Sequence, residues 1–248
     1  MSERKREKSL GVIVGGGLFV LAGLAAGVAG AQGRSGASAA LSIGDRIPSR
    51  EVRMLSVDGS HRTIGEMRGA SGTLVVFTCN HCPWSQAWEA RLTALGNEFR
   101  ERGVGVIAIN PNDPDAPASA RATFDRMQRR FAGTSAAAGT RFSPDTYEEM
   151  QRRARDAGMR FPYVVDGTSD VARSFGATRT PEAYLFDHRD RLVYHGAIDD
   201  NPFEESAVED RFLRDALLAR VARRRPSRAE SRSVGCSIEL REASGAPE

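Results

Sequence analysis

Five consecutive residues, Cys79-Asn80-His81-Cys82-Pro83, carry the groups in this chain best suited to chemistry. Two cysteines three positions apart lie about one helical turn from each other, so the second thiol can attack a mixed disulfide formed by the first. The apolar run Leu74-Val75-Val76-Phe77 leads into them, and a helical pattern carrying Trp84, Trp88, Leu92 and Leu95 follows. A strand ending in a cysteine where a helix begins puts the sulfur near unpaired backbone N–H groups. Those donors and the helix dipole favour negative charge, so the first thiol is expected to ionise more readily than a free one. The pattern points to thiol–disulfide redox chemistry.

Other uses of a C-x-x-C fit less well. A zinc site calls for a second C-x-x-C or an H-x-x-x-H, and the chain has neither; the available set is Cys79, His81, Cys82 and the distant Cys236. Haem attachment needs histidine after the second cysteine, where Pro83 stands. No metal and no cofactor is therefore expected. Cys236 reads either as a small buried residue or as a third redox thiol, and no catalytic role is assigned to it. Trp84 and Trp88, at helical spacing, read as core or rim. His61, His188 and His195 fall in turns or strands and read as solvated or structural. Arg223-Arg224-Arg225 suits a solvated helix end.

The elements that must position the cysteines follow from periodicity and turn residues. A hairpin is expected over 51–64, turning at Asp58-Gly59, then a central strand over 73–78 and a helix over 81–102 stopped by Gly103. Residues 104–109 make a second buried strand, broken by Asn110-Pro111-Asn112-Asp113-Pro114. Helices are expected over 118–131, 145–157, 169–175 and 208–224, the last with an apolar face from Phe212, Leu213, Ala216, Leu217 and Val221. Short strands are expected over 161–165, 183–186 and 191–198. Strand–helix–strand followed by a hairpin and a final helix describes one α/β layered domain with no internal repeat.

At 248 residues the chain can bury a substantial core, and three cysteines are too few for a disulfide-built scaffold. The formal charge of +3 owes most to Arg4, Lys5, Arg6 and Lys8 against Glu3 and Glu7; without that segment the chain is near neutral, and nucleic acid is not an expected partner. A basic start, an apolar stretch over 10–28 and the small-residue end Ala29-Gly30-Ala31 read as a secretory signal over 1–31, with an uncleaved membrane tether as the alternative. Either sends the domain out of the cytoplasm, to a bacterial periplasm or an extracellular space. A Gly/Ser/Ala-rich linker is expected over 32–45, the domain over 46–224 and a polar tail over 225–248.

The chain resembles the thioredoxin-like superfamily, in its redoxin or peroxiredoxin-like (alkyl hydroperoxide reductase and thiol-specific antioxidant) branch. Phe77-Thr78-Cys79-Asn80-His81-Cys82-Pro83, Gly176-Ala177-Thr178-Arg179-Thr180-Pro181 ahead of a strand, and Tyr194-His195-Gly196-Ala197-Ile198-Asp199-Asp200-Asn201 with the later Gly235-Cys236-Ser237-Ile238 carry the resemblance. It implies an α/β three-layer fold, a central mixed sheet flanked by helices, with an N-terminal β-hairpin extension. It implies Cys79 as an exposed nucleophile, Cys82 as the shielded resolving thiol, and His81 and Pro83 as supports beside them. Protonated His81 would stabilise the thiolate and raise the reduction potential. Pro181 would be cis and face the cysteines, and Thr180 would offer backbone groups to an extended peptide.

Two departures bear on activity. Val76 stands where peroxidatic sites usually carry Thr or Ser, and no proline precedes Cys79 in the strand. Thioredoxins bury an acid behind the cysteines, whereas residues 72–78 contain none; Glu89 or water is left as proton acceptor. The implied function is a thiol–disulfide oxidoreductase acting on protein or small-thiol substrates with a separate redox partner. Its alternatives are a thiol peroxidase using Cys79 and a non-enzymatic metal- or partner-binding module.

Overall fold

The computed structural model describes residues 40–114, 118–130, 132–134 and 140–242. The leader over 1–31 and most of the linker lie outside the described residues. Among the described residues no helix is long and apolar enough to cross a membrane.

Runs of β-branched residues make the two central strands. Gly72–Phe77 (β3) and Val104–Asn110 (β4) pair in parallel, with Leu74 opposite Val106 and Phe77 opposite Ile109. The crossover between them is Pro83–Glu101 (α1), which starts on Cys82 as N-cap and carries Pro83 where a missing N–H costs nothing. Ala118–Arg130 (α2) and Tyr147–Asp156 (α3) lead to Tyr163–Val165 (β5), parallel to β4. Met54–Ser56 (β1) and His61–Arg62 (β2) form the expected hairpin, and β1 pairs with β5. After Asp170–Phe175 (α4) come Arg179–Thr180 (β6), Glu182–Phe186 (β7) and Leu192–Gly196 (β8). β7 runs antiparallel beside β3, completing a mixed seven-stranded sheet ordered β2-β1-β5-β4-β3-β7-β8.

Side chains alternate across that sheet, as strand geometry requires. Leu74 and Val76 face one layer, with Trp88, Leu92 and Phe99 of α1, Met150 of α3 and Leu213 and Leu217 of Phe212–Val221 (α5). Val75 and Phe77 face the other, with Ile107, Ile109, Val171 and Phe175. Each such side chain contributes about 1.5–3 kcal/mol on burial. The result is the thioredoxin-like three-layer arrangement, and it holds the end of β3 rigid from both faces.

Several elements are shorter than the sequence reading, the last helix running Phe212–Val221 against an expected 208–224, and two differences bear on the site. The third helix begins at Tyr147, not Asp145, because Thr146 caps it by accepting the Glu149 N–H at 3.4 Å, leaving Asp145 outside. Of the segment read as a polar tail, the described residues up to 242 are packed on the domain. His195 N–H donates to Ala229 O at 2.9 Å, Ile238 N–H to Thr178 O at 3.1 Å and Asp113 N–H to Glu239 O at 2.9 Å, and Cys236–Ser237 (β9) pairs with β6. Backbone groups carry much of this docking, with side-chain contacts such as Tyr194 to Ser231 and Asn112 to the Glu239 N–H, so the polar composition of the segment gave no sign of it.

Candidate active site

The turn leaving β3 is folded around a carboxylate from elsewhere in the chain. Asn80 N–H donates to Asp145 Oδ1 at 2.5 Å, and His81 Nδ1 bonds Oδ2. Asn110 Nδ2 reaches Oδ1 at 3.1 Å and Asn112 Nδ2 reaches Oδ2 at 3.0 Å, both from the end of β4. Four N–H donors thus replace the hydration that burial strips from Asp145. Asn80 is held further by the Tyr163 hydroxyl, donating to Oδ1 at 3.1 Å, and by its own Nδ2 donating to Pro144 O at 2.9 Å.

His81 answers to this carboxylate. Burial alone would lower its pKa, but the hydrogen bond and charge of Asp145, with negative charge at Cys82 and Glu239, outweigh burial and hold the imidazole above its ordinary value. A buried imidazolium–carboxylate pair therefore stands beside the sulfurs over a wider pH range than a free histidine would. Glu89, offered by the sequence as proton acceptor, is paired with Arg153 Nη2 at 2.7 Å, and the buried carboxylate that the site's histidine bonds is Asp145.

Cys79, Cys82 and Cys236 form one cluster of free thiols, all buried, with Trp84 packed against it. Cys79 is only 3% exposed, which corrects the expectation of an exposed nucleophile: the turn folds inward, and its sulfur packs against Thr180 in a cluster with Cys82, Cys236 and Trp84. Cys79 Sγ lies 3.1 Å from Thr180 Oγ1, and Cys82 Sγ lies 3.0 Å from Thr180 O. The Thr180–Pro181 bond is cis, as the resemblance implied, and it sits against both sulfurs. Pro83 opens α1 directly after them.

Ionisation is distributed unevenly over the three thiols. Burial pushes the Cys79 thiol up, reinforced by its hydrogen bond to Cys82 and by the Asp145 charge. Cys236 is raised by its hydrogen bond to Cys82 and then by burial. At Cys82 burial also opposes ionisation. Hydrogen bonds from Cys236 and Cys79, and from the backbone N–H groups of Ser85 and Cys236, outweigh it and hold that thiol well below its ordinary value. The 3.0 Å contact with Thr180 O is one that Cys82 donates only as a thiol, so ionising it gives up that single bond against four donors. Negative charge in the reduced protein collects on Cys82, not on Cys79 as the helix-start argument expected.

The cis-proline segment is positioned by Glu182, whose carboxylate accepts from Thr178 N–H at 2.9 Å, Arg179 N–H at 3.2 Å and His195 Nε2 at 2.8 Å. His195 is thus structural, and it stacks on Tyr184 at 4.4 Å. The backbone edge that Thr180 was expected to offer to a peptide is taken by the chain itself, with Thr180 opposite Cys236. Gly235 permits this: a Cβ there would lie 2.1 Å from Thr180 O.

Comparison with known families falls on the same frame, with the redoxin family model matching residues 42–211. The chain belongs to the redoxin family. A thioredoxin-like redox function comes with that membership. Among solved structures, this redoxin is similar to an uncharacterised conserved protein of Geobacillus kaustophilus, at 28% identity and a TM-score of 0.66 over 82% of this chain and 94% of that one. It is similar to a hypothetical protein of Sinorhizobium meliloti 1021, at 26% identity and a TM-score of 0.64 over 83% and 98%. A thioredoxin-like protein solved in its oxidised form shares the fold at 15% identity, with a TM-score of 0.50 over 72% and 97%. No curated protein matches it.

Cys79, His81 and Asp145 bring potential ligand atoms within 4.8 Å of one another, the grouping best placed to hold an ion. Both Asp145 oxygens are already engaged by N–H donors, which suits a carboxylate that anchors the turn. Sequence reasoning missed Asp145, Asn110 and Asn112. The available signal was Thr146-x-x-Glu149, a capping pattern that would have freed Asp145 from the helix.

Proposed function

We propose that this redoxin is a thiol–disulfide oxidoreductase that cycles Cys79 and Cys82 between dithiol and disulfide, in an exported compartment to which its leader directs it. The observation that carries the reading is the pair of free thiols set against Thr180 and cis-Pro181, with His81 between them. A substrate disulfide forms a mixed disulfide with Cys79. Cys82, the thiol held most ionised, then attacks the Cys79 sulfur and releases the second substrate thiol, so two electrons pass to the substrate. The reverse sequence oxidises a dithiol substrate. Imidazolium at His81 and the N–H donors around Cys82 stabilise the reduced form, which raises the reduction potential and favours the oxidising direction.

The test is a redox titration of the full chain with thiol trapping, run beside insulin-disulfide turnover. A two-electron couple with Cys79 and Cys82 as its trapped thiols is expected, together with turnover; that couple and the turnover should both be lost in Cys79→Ser and in Cys82→Ser. Hydrogen peroxide consumption that disappears in Cys79→Ser, without insulin turnover, would replace this reading with the peroxidase. Metal retained through dialysis by a protein with neither activity would replace it with the binding module.

A further inference from the structure

The C-terminal segment brings a third sulfur to the pair, and its placement is built. Cys236 pairs directly with Thr180 across β6 and β9, Ile238 N–H is bonded to Thr178 O, and Arg179 Nη1 donates to Ser237 Oγ at 3.0 Å. Only glycine at position 235 allows so close an approach. The three cysteines form one buried cluster gathered at Thr180: Cys79 Sγ lies 3.1 Å from its Oγ1, Cys82 Sγ lies 3.0 Å from its carbonyl oxygen, and Cys236 is its partner across the strands. Disulfide exchange is substitution at a central sulfur flanked by an attacking and a leaving sulfur. Three sulfurs gathered in one buried cluster supply the members such an exchange needs.

We propose that Cys236 is the third thiol of an internal disulfide relay, attacking Cys82 within the Cys79–Cys82 disulfide to form Cys82–Cys236 and release Cys79. The inference rests on the reading that Cys79 and Cys82 form the redox pair. The step is balanced without an outside reagent: the Cys236–Cys82 bond forms as the Cys82–Cys79 bond breaks. Cys236 gives up its proton, Cys79 leaves as a thiolate beside the His81 imidazolium and takes one up, and the protein carries one disulfide before and after. All three sulfurs are buried, so the exchange is intramolecular and gains from proximity that no dissolved thiol matches. The outcome is a protein that holds its oxidising equivalent between Cys82 and Cys236 while Cys79 is again a free thiol.

Full-length protein is oxidised with one equivalent of diamide, acid-quenched, alkylated and digested, and its linkages are mapped by mass spectrometry. The peptide carrying Cys236 is expected to be joined to Cys82 in a fraction of the wild type, alongside the Cys79–Cys82 linkage. The 82–236 linkage should become the sole one in Cys79→Ser and vanish in Cys236→Ser. Cys236 recovered wholly alkylated in both wild type and Cys79→Ser, with Cys79–Cys82 intact in the wild type, overturns the relay and leaves the two-cysteine reading standing. Absence of every linkage overturns both.

Discussion

His81 shows how one buried contact sets the charge at this site. Its pKa is raised in the folded protein, so the group contributes stability that is fully present below the ordinary value of 6.5 and lost as pH rises through the higher folded value. The difference in Tm between the wild type and His81→Gln is therefore expected to be widest at mildly acidic pH and to shrink at alkaline pH. A gap independent of pH would mean that folding leaves the imidazole's pKa unchanged. Cys82 makes a second prediction at the same scale. Following the thiolate absorbance with pH should reveal an early-titrating thiol in the wild type and in Cys79→Ser that is missing in Cys82→Ser. The spacing of the two cysteines was legible in the sequence. Which of them ionises first was not, because that depends on donors contributed by Ser85 and by Cys236, and on Asp145, which sits far along the chain.

Among elements, local patterns were read well and distant pairings poorly. The strand before Cys79, the helix after Pro83 and the cis bond at Pro181 all follow from apolar periodicity, a helix-start proline or a resemblance carried by adjacent residues. β9 follows from none of these: two residues, one of them serine, form a strand only because β6 presents an open edge and Gly235 removes the Cβ that would strike it. Gly235→Ala is expected to cost about 1–3 kcal/mol through that clash. The cost falls on docking of β9, so the alkylation rate of Cys236 should rise by about tenfold or more while the main unfolding transition barely moves. An unchanged rate would show that the segment accommodates the methyl group in place.

For the molecule as a whole, the export reading and the chemistry support each other, since a stable disulfide cycle suits an oxidising compartment. Protein recovered from the producing cell is expected to begin at Gln32, as N-terminal sequencing would report; a chain that keeps residues 1–31 and sediments with membranes would point to the tether over 10–28 instead.

The burial of Cys79 in a cluster that β9 helps to build also bears on what clocks its reactivity. If that short ribbon guards the cluster, an alkylating reagent, like a substrate, is expected to meet Cys79 only when it lifts. Rates measured at rising reagent concentration should climb and then level off, and two reagents of very different intrinsic speed should reach the same plateau, which is the frequency of lifting. Linear dependence without a ceiling would mean that the ribbon does not stand in the way.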